Sequence, residues 1–137
     1  MTLGIVAFHA AIIRIASLTF FNADRFIASR LAQEGMELVS NIRDTNWLNS
    51  GTDWDNGLTV GDYLVQYDKD SLLTYSDTPL RIDGNGFYNY DNGDDSKFKR
   101  KITITPINAN ELKIEVQITW LGKGSPLEVE EHLYNWK

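Results

Sequence analysis

The spacing of apolar residues divides the chain into two parts. Residues 3–21 form a nearly continuous apolar run, in which His9 and Arg14 are the only titratable side chains before residue 22. A helix built from this run is apolar on all sides, and it is long enough to cross a bilayer core of roughly 30 Å. The run therefore predicts a helix that is buried on every side, in lipid or among other helices.

From residue 23 the pattern becomes amphipathic. Apolar residues and one glycine recur at helical spacing on one face: Ile27, Leu31, Gly35, Leu38 and Ile42. Polar residues occupy the opposite side: Asp24, Arg25, Arg30, Gln33, Glu37 and Asn41. The two patterns predict one helix over residues 2–44, roughly 60 Å long, whose second half needs a partner for its apolar stripe. Gly35 marks a close approach of the body or a mild bend, and Glu34, four residues after Arg30, allows a weak surface pair with it.

Loops and short strands follow the helix. Three apolar residues in the first loop are expected to anchor it to the core: Trp47, Leu48 and Trp54. Short strands are predicted within 60–67, 71–75, 79–82 and 87–90, with turns at 83–86 and 91–95 because these two segments are rich in Asp, Asn and Gly.

The last third of the chain alternates between apolar and polar positions. Strands are predicted at 98–105, 112–120 and 127–133, with a hairpin at 108–110. These strands form an antiparallel meander with one solvent face, and the other face can cover the helix stripe. The predicted fold class is α+β, one long N-terminal helix packed against an antiparallel sheet. Residues 1–22 are the apolar helix half, and residues 23–137 are a globular domain that includes the amphipathic half 23–45.

Composition narrows the classes of function. The 137 residues are 42% hydrophobic, enough for one core, and carry a formal net charge of −6. An acidic chain is a poor partner for nucleic acid, so none is expected. The absence of cysteine excludes disulfides, thiolate metal sites and cysteine nucleophiles.

The apolar run permits three interpretations. A cleaved secretory signal is disfavoured because Met1-Thr2-Leu3 provides no basic start. A plain membrane anchor fits the length, but Arg14 near its middle would cost about 2.5–3.5 kcal/mol unless it reaches the interface. The favoured interpretation is a helix that rests in the membrane and then packs among identical helices. There Arg14 either meets a carboxylate or carbonyls of a neighbour, or reaches solvent along its own stem.

The predicted order of elements and several segments of the sequence resemble those of type IV pilins and the pseudopilins of secretion systems. The similarity is most specific over residues 25–47 and extends to the ending 129–136. It implies a structural, non-enzymatic subunit that is anchored in the inner membrane and then assembled into a helical filament at the cell surface, with copies of itself or other pilins. It also implies an N-methylated first residue at Met1. The filament core would be formed by the first half of the helix: Met1, Leu3, Ile5, Phe8, Ile12, Arg14, Ile15 and Phe20.

Two features depart from that family. Most members carry a glutamate at the fifth mature position, which pairs with the neighbouring subunit's N-terminus, whereas this chain has Ile5. Either the subunit docks differently or Met1 is not the mature start. No leader with a glycine before a cleavage site is visible in the sequence, and the resemblance then implies either a processed form or a truncated start.

A catalytic site is not expected. The two histidines, His9 and His132, lie at opposite ends of the sequence, and no nucleophile and acid accompany them at a suggestive spacing. The alternative to a filament subunit is a single-pass, membrane-anchored extracellular binding domain that does not polymerise. It would keep its apolar run in lipid and present a ligand cleft.

Two acidic turns are candidates for calcium. One contains Asp53 and Asp55, and the other contains Asp91, Asp94 and Asp95. Hard cations bind several oxygen ligands at such turns, and some pseudopilins bind calcium in a loop of this kind. Asp and Asn are also the preferred residues of ordinary turns, so both explanations stay open. No other cofactor is expected.

Aromatic and basic clusters complete the candidates. Six aromatic residues suit either an adhesive, carbohydrate-binding patch or core and subunit contacts: Tyr63, Tyr67, Tyr75, Phe87, Tyr88 and Tyr90. Four basic residues form either a solvated strand end or a contact for the acidic 91–95 loop of another subunit: Lys97, Lys99, Arg100 and Lys101.

Overall fold

A computed structural model describes residues 22–135 of the chain. The predicted apolar helix half 1–22 lies outside these residues, apart from Asn22. The predicted amphipathic half is present as helix α1 (Asn22–Leu48), 27 residues long. Its C-terminal end lies four residues beyond the predicted one. The Asn49 amide bonds back to the Asn46 carbonyl at 3.2 Å, and Gly51 then takes a positive φ of 83° that ends the helical path.

Eight strands follow the helix, and all of their pairings are antiparallel. In chain order they are β1 (Gly61–Leu64), β2 (Leu73–Thr74), β3 (Arg81–Ile82), β4 (Tyr88–Asn89), β5 (Asp94–Asp95), β6 (Lys99–Asn108), β7 (Glu111–Thr119) and β8 (Leu127–Tyr134). The main sheet has the order β2-β1-β6-β7-β8, and a small sheet has the order β4-β3-β5. The described part of the chain is therefore an α+β fold, with one helix on an antiparallel sheet.

The predicted C-terminal meander is confirmed. β6 pairs with β7 so that Ile104 lies opposite Ile114, and β7 pairs with β8 so that Val116 lies opposite Val129. Burial alternates strictly along β7, as its period-2 sequence predicted. The sheet is wider than predicted because β1 and β2 add to the free edge of β6.

The small sheet corrects one predicted turn. Residues 83–86 do form a turn, in which the Asp83 carboxylate accepts hydrogen bonds from the amides of Asn85 and Phe87 at 2.8 and 3.0 Å. The segment 91–95, however, ends in strand β5, which pairs with β3. Its acidic, glycine-containing sequence carries no strand signal, and the pairing depends on β3 supplying an open edge.

The buried face of the helix overlaps the predicted one, because Leu31 and Gly35 are buried as expected, but its centre is shifted. Ala28, Ala32 and Val39 have no exposed surface, whereas Ile27, Leu38 and Ile42 are only half-buried. The buried line is rotated by about one residue from the larger aliphatic side chains. Small residues lie against the sheet, so the backbone of α1 can approach the flat row formed by Ile102, Ile104, Ile114, Val116 and Ile118.

Gly35 is the point of closest approach. A Cβ atom at this position would lie 3.1 Å from Cδ of Arg100, 3.2 Å from Cδ1 of Ile102 and 3.3 Å from Cγ1 of Val116. The prediction of a close approach of the body at Gly35 is confirmed.

Two of the three predicted anchors, Trp47 and Trp54, hold the loop after α1 to the core. Trp54 is buried and Trp47 packs partly against the core, but Leu48 is 85% exposed. The expectation for Leu48 was wrong because it lies in the last helical turn on the side away from the sheet. The buried Asn46 replaces it, since its side-chain amide donates to the carbonyls of Trp54 and Asn56, both at 2.9 Å.

Candidate functional site

The N-terminal end of α1 is where any assembly through residues 1–21 would join the body. The predicted core positions Met1, Leu3, Ile5, Phe8, Ile12, Arg14, Ile15 and Phe20 lie outside the described residues. Within 22–135, no helix is long and apolar enough to cross a membrane. The candidate site can therefore be built only from the body surfaces near Asn22 and along α1.

The outer side of α1 forms one exposed stripe. Its exposed members are Ala23, Phe26, Arg30, Glu37, Asn41, Asp44, Thr45 and Leu48. Its large apolar residues are Phe26 near the start, which is 46% exposed, and Leu48 at the other end, which is 85% exposed. A mostly polar stripe with one aromatic resembles an ordinary solvated helix face, so it offers a modest apolar contact close to the helix start.

Two polar contacts fasten the helix start to the sheet. The Lys97 ammonium lies 3.1 Å from the Asp24 carboxylate, and Nη1 of Arg25 donates to the Gly124 carbonyl. Gly124 lies in the loop between β7 and β8. This loop and the beginning of α1 thus lie at the same end of the body.

A buried ion pair fastens the middle of the helix. Nη1 of Arg100 lies 2.7 Å from Oε1 of Glu34 and also donates to the Leu31 carbonyl at 2.9 Å, while Nη2 donates to the Val65 carbonyl at 2.8 Å. The Arg100 side chain has no exposed surface. The prediction of a solvated strand end is wrong for Arg100, and Glu34 pairs with Arg100 across the fold.

The surroundings of Arg100 hold polar groups that are not satisfied within the described residues. Nε of Arg100 and the hydroxyl of Tyr90 are both buried there without a hydrogen-bond partner. Burial raises the pKa of Tyr90, and the positive charge of Arg100 partly opposes that rise. A separate cleft of about 20 Å³ lies on the outer face of the sheet, where Asp77, Lys99 and Gln117 line it; it has room for one water molecule and is too small for an organic substrate.

Lys99 and Lys101, the basic residues on either side of Arg100, lie on the outer face of β6. Lys99 lies 3.1 Å from Asp77 on the exposed side, and Lys101 projects from the outer face of β6 opposite Gln117. Only Arg100 turns inward, because residues alternate between the two faces of a strand. The alternation along β6 places Arg100 on the same face as the buried Ile102, so the sequence could have predicted that Arg100 points inward. Its charge made a solvent-exposed position the more natural prediction.

The six aromatic residues separate into two groups. Tyr63, Tyr88 and Tyr90 pack against the core. Tyr67, Tyr75 and Phe87 are 41%, 37% and 51% exposed, and the ring centroids of Tyr67 and Phe87 lie 5.0 Å apart. Some of these aromatics are therefore core residues, whereas others remain available for a surface patch. Tyr67 and Phe87 form an exposed ring pair.

Carboxylates surround this ring pair. The pKa of Tyr67 is raised by partial desolvation and then by the charges of Asp68, Asp83 and Asp91. Gln66 organises the region, since its amide nitrogen lies 2.6 Å from Asp68 and 2.9 Å from Asp91. Exposed rings beside carboxylates are suited to sugar rings or cationic groups.

Two carboxylates of the second acidic turn pair with neighbouring side chains. The Asp91 carboxylate contacts Gln66 and lies 3.8 Å from Lys69, and Asp95 lies 3.3 Å from Arg81. Within the described residues, no three acidic or histidine side chains converge as a metal site would require. Calcium binding by Asp53, Asp55, Asp91, Asp94 and Asp95 stays a prediction.

His132 lies between two glutamates on the outer face of β8. Its Nδ1 is 2.7 Å from Glu111 and its Nε2 is 3.2 Å from Glu130. The hydrogen bond to Glu111 is the main cause of a raised pKa for His132, and Glu130 adds to it. The arrangement favours an imidazolium between two carboxylates and leaves neither ring nitrogen free to act as a base.

Comparisons of the chain with protein-family models, with curated proteins and with solved structures give no significant match. Its function must therefore be argued from its own residues.

Proposed function

We propose that the chain is a structural subunit of a type IV pilus-like or pseudopilus filament, with a type IV pilin-like fold. The subunit is held in the inner membrane by its apolar residues before assembly, and it then packs through Met1, Leu3, Ile5, Phe8, Ile12, Arg14, Ile15 and Phe20 against neighbouring copies or other pilins. The finished filament lies at the cell surface.

One observation carries the proposal. Helix α1 begins at Asn22, directly after the apolar run 3–21, and its own sheet already covers its inner face. That run is also the longest apolar stretch of the sequence. An all-round apolar helix on an acidic body requires lipid or copies of itself as its surroundings.

The structure of α1 supports a body that transmits force to the helix. The Arg100–Glu34 pair, the Arg25–Gly124 contact and the close approach at Gly35 attach the helix to the sheet at three levels. A filament subunit needs such attachment, because load on the body must reach the helix that holds the assembly together.

Electron microscopy of the purified full-length chain tests the proposal. The expected result is filaments with helical order. The substitution Ile12→Asp, which places a charge in the apolar run, should abolish them, whereas Ser50→Asp in the exposed loop should not. Dispersed monomers of the intact chain in detergent-free buffer would count against the proposal.

Photo-crosslinking supplies a second test. Because the chain has no cysteine, a benzophenone can be attached at Ala16→Cys alone. Head-to-tail packing gives open assemblies, so we expect a ladder of products larger than dimers. A label at Ser50→Cys is the matched control outside the apolar run.

The exposed Tyr67–Phe87 pair favours the second candidate, a membrane-anchored binding domain that does not polymerise. Its rings and neighbouring carboxylates form a surface suited to a ligand. This candidate predicts that the chain floats with lipid, yet gives neither filaments nor a crosslinking ladder.

A further inference from the structure

The loop between β7 and β8 exposes a leucine at the N-terminal end of α1. Leu121 is 95% exposed, more than any other large hydrophobic residue among those described. A single exposed leucine is ordinary on a protein surface. Its significance here depends on its position and its neighbours.

The position is fixed by contacts at both ends of the helix. Arg25 donates to the carbonyl of Gly124, and a Cβ atom on Gly124 would lie 2.8 Å from Cγ of Arg25. At the opposite end, Nε1 of Trp54 donates to the Ala109 carbonyl at 3.3 Å, in the β6–β7 turn. The loop that holds Leu121 therefore lies beside the start of α1, where the apolar run joins the body.

The tip of the loop, residues 121–123, is exposed. Gly122 and Gly124 have φ angles of 135° and 90°, in the region that favours glycine, and they flank the exposed Lys123. Behind the tip, Trp120 is buried, and its ring lies 5.8 Å from that of Phe98. The result is a short tip with a leucine and a lysine on a rigid base.

We propose that the loop 121–124 contacts the surface of an anionic lipid bilayer while the apolar run holds the chain in the membrane. Leu121 enters the boundary between headgroups and acyl chains, and Lys123 lies among the phosphates. This inference rests on the membrane-anchored stage of the proposed function. It adds a second contact point, which fixes the orientation of the body on the membrane.

Distance and charge favour lipid as the occupant. Arg25 follows Asn22 by three residues, a rise of about 4.5 Å along a helix, whereas a headgroup layer is roughly 5–8 Å thick. A loop attached at Arg25 is therefore within reach of that layer. An apolar side chain can enter the boundary between headgroups and acyl chains, and a lysine near the surface is attracted by anionic lipid. The Tyr67–Phe87 pair is a poorer candidate, because the carboxylates of Asp68, Asp83 and Asp91 would repel the phosphates.

A fluorescent label can test the contact in the full-length chain. The absence of cysteine permits an NBD label at Leu121→Cys alone, and Leu48→Cys is the matched control. Both residues are exposed leucines, at 95% and 85%, and they lie at opposite ends of the body. In vesicles of phosphatidylethanolamine and phosphatidylglycerol, we expect the emission at 121 to shift to shorter wavelength and to be quenched by brominated lipid. The label at 48 should keep its aqueous spectrum.

A charge reversal separates lipid binding from contact between subunits. Lys123→Glu should reduce the shift at 121 on anionic vesicles and have little effect on purely zwitterionic ones. An aqueous spectrum at 121 in chains that float with the vesicles would overturn the inference and leave the membrane stage of the proposed function intact. A shift that occurs without lipid, in filaments only, would overturn it in favour of a subunit contact. Failure of the chain to float at all would instead contradict the proposed function.

Discussion

Arg100 of β6 and Glu34 of α1 form an ion pair with 2.7 Å between Nη1 and Oε1, and the arginine has no exposed surface. Glu34 is 35% exposed, so one partner keeps contact with water. The arginine also binds carbonyls from the helix and from residue 65 beyond β1. A single side chain thus joins three segments of the fold.

Truncating Arg100 should therefore be costly. Arg100→Ala leaves Glu34 and two carbonyls without their donor, and we expect the free energy of unfolding to fall by about 3–5 kcal/mol. Arg100→Met, which keeps most of the volume, should cost less. Urea unfolding followed by tryptophan fluorescence measures both in the detergent-solubilised chain. The control is Arg81→Ala, whose exposed pair with Asp95 should be worth less than about 1 kcal/mol. Equal losses for Arg81→Ala and Arg100→Ala would contradict this role.

Gly35 should tolerate alanine but not valine. In Gly35→Ala the gain in helix propensity, about 1 kcal/mol, offsets contacts that are tight by a few tenths of an ångström. Gly35→Val adds methyl groups against Ile102 and Val116, and we expect it to destabilise the fold by about 1–3 kcal/mol. Thermal unfolding of the two variants checks this order. A valine variant as stable as the alanine variant would show that the helix can move off the sheet.

Asn46 should be the main polar anchor of the loop after α1. Asn46→Ala leaves the carbonyls of Trp54 and Asn56 without their donor, and we expect a loss of about 1–3 kcal/mol. The exposed Asn41→Ala on the same helix is the control and should change stability little. Hydrogen exchange of residues 52–58 should rise in Asn46→Ala alone. Unchanged exchange there would assign the anchoring to Trp54.

His132 should make stability depend on pH. Its pKa is raised in the folded state by Glu111 and Glu130, so its contribution is fully present below the unfolded pKa near 6.5 and is lost as pH rises through the higher folded value. The groups are partly exposed, and Lys113 lies opposite His132 on β7, so the contribution should be only about 0.5 kcal/mol. His132→Gln should flatten the stability profile above pH 6.5. A profile as steep as that of the unsubstituted chain would contradict this assignment.

Substitutions in the exposed Tyr67–Phe87 ring pair should affect ligand binding without affecting stability. Phe87→Ala should change the free energy of unfolding by less than about 1 kcal/mol, because half of the ring already meets solvent. If the patch binds sugars or cationic groups, this variant and Tyr67→Ala should lose binding on a glycan array or to a cationic peptide, while Tyr75→Ala at a similar exposure should not. Equal binding by all three variants would exclude the pair as a ligand surface.

The sequence by itself determined the helix over 23–45 and the strands of the meander. Their apolar residues recur with a period near 3.6 or of 2, and a periodic pattern fixes an element before any partner is known. It also indicated the close approach at Gly35. The short strands were only located approximately, and β5 was missed, because strands of two residues depend on pairing more than on their own composition.

Only the tertiary structure decided which residues each element buries. The helix turned its small residues toward the sheet, since Ala28, Ala32 and Gly35 allow closer packing than the aliphatic side chains beside them. Arg100 was drawn inside because acceptors from α1 and from residue 65 surround it, and no local pattern contains those distant acceptors. In the same way, the sequence marked Leu121 as apolar, but only the packing of the loop beside Arg25 placed it at the end of the body where the apolar run begins.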